Sequence, residues 1–87
     1  MFDYYVLNDE KHKGLLIRQN RETMDEAYYS VAFSQWTPCQ LLVNYFLLES
    51  DVFNQYELLT EEEAIVYISR LMFMKFYDDG FAYPNEQ

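Results

Sequence analysis

The sequence contains few of the residues from which most catalytic and metal sites are built. Its 87 residues include one histidine, one cysteine, two glycines and two prolines. A single cysteine excludes an internal disulfide framework and is typical of a reducing compartment. Structural zinc takes about four histidine, cysteine or carboxylate ligands at fixed spacing, and glycine at positions 14 and 80 alone leaves no glycine-rich phosphate loop. We therefore expect a protein without a bound metal or cofactor.

The reactive side chains that are present lack the partners that catalysis needs. His12 lies in a charged turn between Lys11 and Lys13, where no neighbour positions it as a base. Cys39 falls in the first turn of a predicted apolar helix, so we expect it to pack in the core. The acidic runs at 61–63 and 78–79 lack the alternating oxygen ligands of a calcium loop. These absences predict that the chain is not an enzyme.

Positive charge is also scarce, and it is concentrated near the N-terminus. The chain carries 6 Lys and Arg against 15 Asp and Glu, which gives a formal net charge of −9. Residues 1–21 have a net charge of +1, so residues 22–87 carry the remaining −10. A field of this sign repels nucleic-acid phosphates and anionic lipids, and it attracts basic protein surfaces.

Long apolar runs are absent as well. The longest, at residues 41–48, is interrupted by Asn44 and is too short to cross a bilayer. The first residues contain neither a basic region nor the apolar stretch of a secretory signal. We therefore expect a cytoplasmic protein that does not associate with membranes.

Aromatic residues, in contrast, are abundant. Hydrophobic residues make up 51% of the chain and aromatic residues 20%, as 9 Tyr, 7 Phe and 1 Trp. This content allows a short chain to build a dense core as one domain over residues 1–87. It also exceeds what one small core can readily hide, and exposed Tyr and Phe are typical of interfaces. We expect an aromatic binding face.

Residues 1–35 read mainly as β-structure. The alternation in residues 2–7 and the mainly apolar residues 15–18 predict two strands, joined into a hairpin by the polar turn at 8–14. Residues 27–34 favour a third strand, because Tyr29, Val31 and Phe33 would share one face. The alternative is a helix, since residues 23–26 form a capping-box pattern.

Residues 36–80 read mainly as helix. Thr37, Pro38 and Gln40 form a helix start, and the predicted helix runs to Glu49 with apolar residues on nearly all sides. Residues 50–59 form a connection with a short turn or strand around Tyr56. A second helix begins after Thr60, whose hydroxyl and Glu63 form a capping box.

This second helix is expected to continue through Tyr77 and to stop near Gly80, with residues 81–87 as a tail over the body. Its apolar face is predicted at Ile65, Ile68, Leu71 and Met72. The fold class is therefore α+β, with a small antiparallel sheet packed on two apolar helices from the C-terminal half.

The charge and the aromatic residues together predict a protein-binding module that covers a basic surface on a larger protein, including one that normally holds nucleic acid. Small acidic inhibitors from phages and mobile elements have this composition, and such an origin is expected here, although no motif links the chain to one family. The binding face is predicted where acids are densest and aromatics lie among them: Glu49, Asp51, Phe53, Tyr56, Glu57, Glu61 and Glu62. The alternative role for this region is solubility alone.

Two other interpretations remain open. In the first, the chain forms a homo-oligomer through the last helix, using Met72, Phe73, Met74 and Tyr77. In the second, the basic hairpin contacts nucleic acid while a tyrosine stacks on a base; the residues concerned are Lys11, His12, Lys13, Arg18 and Arg21, with Tyr4 or Tyr5. The net charge of −9 opposes the second interpretation.

Overall fold

The computed structural model describes residues 1–76, with Phe76 described by its backbone alone. These residues form a five-stranded antiparallel sheet in the order β4-β3-β2-β1-β5. The elements are β1 (Phe2–Leu7), β2 (Leu16–Asn20), β3 (Glu26–Ser30), β4 (Gln35–Cys39), α1 (Val43–Phe46), β5 (Tyr56–Leu59) and α2 (Glu61–Phe76). The α+β prediction is confirmed, and the sheet is larger than expected.

The predicted N-terminal hairpin is present as β1 and β2. The turn between them closes with hydrogen bonds from Leu7 N–H to Leu15 O at 2.9 Å and from Gly14 N–H to Leu7 O at 2.8 Å. Gly14 has a φ of 88°, a left-handed conformation that glycine adopts without steric cost. The one glycine of this segment therefore stands where the turn requires it.

The third strand is confirmed, but it ends earlier than predicted. Residues 31–34 form a turn in which Ser34 has a φ of 54°, and Phe33 is 74% exposed at its tip. Tyr29 alone of the three predicted face residues belongs to the strand. The helical alternative at 23–26 is wrong, because Met24 has a φ of 67° and the chain turns there into β3.

The predicted helix from Thr37 to Glu49 is wrong over most of its length. Residues 35–39 instead form β4, an edge strand, where the missing N–H of Pro38 is tolerated. The free N–H groups of Leu41 and Leu42 donate to the Glu26 carboxylate at 2.8 and 3.0 Å. Pairing with β3 and this carboxylate therefore outweigh the local capping pattern, and only the four residues of α1 are helical.

The main core lies on one face of the sheet. Side chains alternate between the two faces of a strand, and we call the face bearing Tyr5, Leu7, Ile17, Tyr28 and Tyr56 the core face. Residues 41–55 cover it and bury Leu42 and Tyr45, which are 0% and 2% exposed. The predicted burial all round this segment is not seen, since Val43 and Leu48 are 55% and 81% exposed.

The second predicted helix is confirmed as α2, with its capping box. Glu63 N–H donates to the Thr60 hydroxyl at 3.1 Å, and Thr60 N–H donates to the Glu63 carboxylate at 2.9 Å. The predicted end at Tyr77, the stop at Gly80 and the tail 81–87 lie outside the described residues. None of the helices in residues 1–76 combines the length and the apolar character needed to cross a membrane.

Helix α2 crosses the opposite face of the sheet, which we call the helix face. It runs from the end of β5 to the β3–β4 turn, where Lys75 Nζ donates to Val31 O at 3.0 Å. Midway, the Tyr67 hydroxyl donates to Gly14 O at 2.6 Å. Ala64 is 1% exposed, whereas Ile65, predicted to face the body, is 58% exposed. The rest of the predicted apolar face is confirmed, since Ile68, Leu71 and Met72 are all partly buried.

The packing of residues 41–48 generates a stability prediction. Leu42→Ala is expected to lower the free energy of unfolding by about 2–5 kcal/mol, because it empties a fully buried site. Leu48→Ala, at an exposed leucine of the same segment, is expected to change it by less than about 0.5 kcal/mol. Chemical denaturation of both variants measures this, and equal losses would contradict the packing described.

Candidate functional site

The predicted acidic and aromatic residues all lie in or beside β5. Glu49, Asp51 and Phe53 belong to the connection before the strand, Tyr56 and Glu57 to the strand itself, and Glu61 and Glu62 to the first turn of α2. Every one of these carboxylates is exposed, Phe53 is 37% exposed, and Tyr56 is partly buried. The structure thus gathers them around one strand.

They do not form one continuous surface, because β5 separates them. Glu57 and Glu62 line a groove of about 500 Å³ on the helix face, between β5 and α2. Glu63 and Arg70 line the same groove. The connection that bears Glu49, Asp51 and Phe53 belongs to the other layer, since its Val52 packs against the core cluster. Two acidic regions therefore flank the strand.

The groove on the helix face has an excess of negative charge. It contains three glutamates against Arg70, and none of these groups forms a salt bridge within residues 1–76. Burial raises the pKa of the Tyr67 hydroxyl, and the charge of Glu57 raises it further. A phenol held protonated in this way donates to Gly14 O.

Strand β5 is an edge strand, and its pairing with β1 determines which of its backbone groups point into the sheet and which point outward. Asn8 N–H donates to Gln55 O at 2.8 Å, whereas the Leu7 N–H donates to the β2 side of the sheet. Successive residues of an antiparallel strand point their backbone groups to opposite sides. Glu57 and Leu59 therefore pair with β1, and the N–H and C=O groups of Tyr56 and Leu58 point outward. No hydrogen bond in residues 1–76 takes up these outward groups.

Apolar side chains accompany the open edge on the core face. The rings of Tyr5, Phe46 and Tyr56 form a cluster with centroid separations of 5.7, 5.5 and 5.4 Å. Leu58 lies opposite Tyr5 in the ladder and is 64% exposed, and Phe46 is 40% exposed. We call Phe46, Tyr56 and Leu58 the apolar shelf. An acidic groove thus borders β5 on one face and the apolar shelf borders it on the other.

The residues predicted for self-association are placed differently from one another. Met72 faces the sheet, where the hydroxyls of Tyr29 and Ser34 lie 3.7 and 3.8 Å from its sulfur. Phe73 and Met74 are 67% and 59% exposed on α2, and Tyr77 lies outside the described residues. Met72 therefore does not share an exposed face with Phe73 and Met74.

The basic residues predicted for nucleic-acid contact are not assembled into one surface. Residues 11–13 occupy the turn between β1 and β2, whereas Arg21 lies beyond the other end of β2 and pairs with Asp3 at 2.8 Å. Arg18 lies on the helix face, with its Cζ 4.4 Å from the ring centroid of Phe2 and 4.5 Å from that of Trp36. The two tyrosines proposed to stack are also divided, since Tyr4 joins this aromatic group and Tyr5 is buried on the core face.

A polar cluster around Tyr45 was not expected from the sequence. The Tyr45 hydroxyl donates to Asp9 Oδ1 at 2.5 Å, and His12 Nδ1 lies 3.1 Å from the hydroxyl oxygen and 3.5 Å from Asp9 Oδ2. Asp9 and Tyr45 are 4% and 2% exposed. The hydroxyl and the carboxylate are 36 residues apart in sequence, so no local pattern could have paired them.

The pKa directions indicate that this cluster is structural. Burial raises the pKa of Tyr45, and the hydrogen bond to Asp9 and its charge raise it further. For Asp9, burial favours the neutral acid, but the hydrogen bond from Tyr45, backbone hydrogen bonds and His12 outweigh it and lower the pKa below 3.8. At neutral pH a protonated phenol therefore donates to a carboxylate, and this bond ties the β1–β2 turn to α1.

Cys39 is not in a helix as predicted; it ends β4, without a helix dipole to activate it. Burial raises the pKa of its thiol, and the charge of Glu26 raises it further. The thiolate that would act as a nucleophile is therefore disfavoured. Within residues 1–76, no group of three His, Cys, Asp or Glu side chains is placed to hold a metal ion.

The Tyr45–Asp9 bond generates a pH prediction. Tyr45→Phe is expected to lower the free energy of unfolding at neutral pH by about 1–3 kcal/mol, since it removes a donor from a buried carboxylate. The stabilisation tied to Asp9 is present above its ordinary pKa of 3.8 and is lost as pH falls through the lowered folded value. That tied to Tyr45 is present below pH 10.0 and is lost as pH rises towards its raised folded value.

The difference in the free energy of unfolding between wild type and Tyr45→Phe should thus be largest between pH 3.8 and pH 10.0. It should become smaller at lower and at higher pH. Denaturation across pH measures it. Tyr28→Phe is the matched control, because the Tyr28 hydroxyl makes no hydrogen bond in residues 1–76. A gap that does not change with pH would contradict the assignment.

Comparison of the chain with protein-family models, with curated proteins and with solved structures finds no match. Its function is therefore inferred from the open edge of β5 and from the acidic and apolar side chains on either side of that edge.

Proposed function

We propose that the protein is a small acidic binding module that inhibits or regulates a larger protein by covering a basic surface on it. The observation that carries this proposal is that Glu57 and Glu62 line one groove directly beside an open strand edge. The basic surface includes one that otherwise holds nucleic acid. A phage or mobile-element origin and a cytoplasmic location complete the proposal, on composition alone.

The charge distribution supports a basic partner. Residues 49–63 carry six acids and no Lys or Arg, and the exposed carboxylates among them lie on both sides of β5. A concentrated field of one sign steers a partner of opposite sign and increases its association rate. The same field repels phosphates, so nucleic acid and anionic lipid are poor direct ligands.

Binding, with no catalytic step, accounts best for the side chains present. The candidates with acid–base or nucleophilic character are Cys39 and the cluster of His12, Asp9 and Tyr45. The pKa of the thiol and that of the phenol are both raised, which opposes their use as a nucleophile or a base. We therefore assign no reaction to the protein.

Self-association through α2 is a second candidate. Ile65, Val66 and Met74 are 58%, 49% and 59% exposed, and exposed apolar side chains of this size are typical of interfaces. The three glutamates of the first turn would repel a parallel copy, however. Sedimentation at several concentrations decides the matter, because a strict monomer excludes this candidate.

The proposed function predicts that partner capture depends on the groove. With the tagged protein as bait in an extract of the native host, Glu57→Gln/Glu62→Gln should lose proteins that the wild type retains. Exposed charge pairs contribute about 0.2–1 kcal/mol each, so two lost carboxylates should weaken binding about two- to thirtyfold.

Glu22→Gln/Asp25→Asn is the matched control, since it removes the same charge from two exposed sites in the turn between β2 and β3, away from the groove. The control variant should retain the proteins. Added salt should release them from the wild type and from the control variant alike. Equal capture by both double variants, or capture that salt does not affect, would refute the electrostatic proposal.

A further inference from the structure

We propose that the partner is held by strand addition, in which an extended basic segment pairs with the outer edge of β5. This inference rests on the proposed function and specifies its geometry. The bound segment carries basic residues towards the helix face and apolar residues towards the core face, in alternation. Three features of β5 support it: the backbone groups, the groove and the apolar shelf.

The backbone supplies a ready set of hydrogen bonds. Each of Tyr56 and Leu58 presents one N–H and one C=O outward, and nothing in residues 1–76 uses them. A strand edge in this condition pairs readily with another extended chain. Because the strand is only four residues long, it offers two such residues, and the recognised core of the segment is correspondingly short.

The helix face selects a basic residue opposite Glu57. Glu57 directs its backbone groups towards β1. A residue of an antiparallel bound segment that lies opposite Glu57 therefore forms a non-hydrogen-bonded pair with it, in which cross-strand side chains approach most closely. An opposite-charge pair there is favourable, and Glu62 lies in the same groove. The next position on this face lies opposite Leu59, near the first turn of α2, and favours a second basic residue.

The core face selects apolar residues at the intervening positions. Side chains opposite Tyr56 and Leu58 would lie beside the apolar shelf, where Leu58 is 64% and Phe46 is 40% exposed. Covering these side chains removes apolar surface from water. The segment therefore has the pattern basic–apolar–basic–apolar, and these four residues lie opposite Leu59, Leu58, Glu57 and Tyr56 in that order.

Charge excludes the other chains that could pair with this edge. A second copy would bring a further Glu57 and a net charge of −9 to the same place. The chain's own residues 77–87 include Asp78, Asp79 and Glu86 and no Lys or Arg. Like charges across a strand pair are destabilising, so a basic segment of another protein is the occupant that matches.

Amide hydrogen exchange tests the inference on the wild-type protein. The probe is a peptide in which lysine and valine alternate, and its control has the same composition with the lysines in one block. In the free protein the Tyr56 and Leu58 amides should exchange fast, and those of Glu57 and Leu59 slowly. The alternating peptide should protect Tyr56 and Leu58, whereas the block peptide should not.

A substitution separates strand addition from general charge attraction. Leu58→Pro removes an outward N–H that the sheet does not use, so the edge tolerates it. Leu58→Ala is its matched control, because it removes the side chain and keeps the N–H. Proline should weaken binding of the alternating peptide roughly tenfold relative to alanine, measured by fluorescence anisotropy.

Each outcome decides one proposal. Equal binding of both peptides, binding without protection of Tyr56 and Leu58, or no binding of either peptide overturns strand addition, even if Leu58→Pro fails to fold. Protection of the Tyr56 and Leu58 amides that increases with protein concentration in the absence of peptide would identify a second copy as the occupant. That result would overturn strand addition by a basic segment as well. The proposed function is tested separately, by whether Glu57→Gln/Glu62→Gln loses the captured partner.

Discussion

The pairing of β1 along both of its edges is the constraint on which the rest of the structure depends. Leu7 exchanges hydrogen bonds with the β2 side of the sheet, and Asn8 N–H donates to Gln55 O. These bonds fix which backbone groups of β5 face inward and which face outward. Because α2 begins two residues after β5 ends, they also determine where its first turn lies, beside Glu57. The acidic groove and the open edge are thus consequences of one pairing.

How far the fold could be predicted depends on whether its signals are local. The β1–β2 turn with Gly14 and the capping box of Thr60 and Glu63 are local, and both are present as predicted. The start at Thr37 and Pro38 is an equally good local signal, yet it is part of a strand. The carboxylate that receives the N–H groups of Leu41 and Leu42 comes from Glu26, 15 or 16 residues earlier. A tertiary contact of this kind leaves no periodicity to detect.

The candidate site likewise combines features that local sequence predicts with features that depend on tertiary structure. The density of acids near β5 can be read from the sequence, and so can a short strand around Tyr56. The position of this strand at the sheet edge cannot, because it follows from the strand order and not from the four residues themselves. Nor does the sequence reveal that Glu57 and Leu58 face opposite sides of the sheet with different surroundings. For the proposed partner, the charge of the chain predicts the sign of the bound surface, whereas the sheet topology predicts an extended segment.

The proposed strand addition gives the features of β5 a role beyond solubility. Charged residues on an edge strand guard against aggregation, and Glu57 serves that purpose whichever proposal holds. Protection alone, however, would be better achieved by a polar residue at Leu58, which is 64% exposed beside two open backbone groups. In the proposed strand addition, Glu57 repels acidic chains while the apolar, unpaired edge accepts others, which narrows the class of partners. Discrimination between partners needs such a repulsive element together with an attractive one, and β5 combines both within four residues.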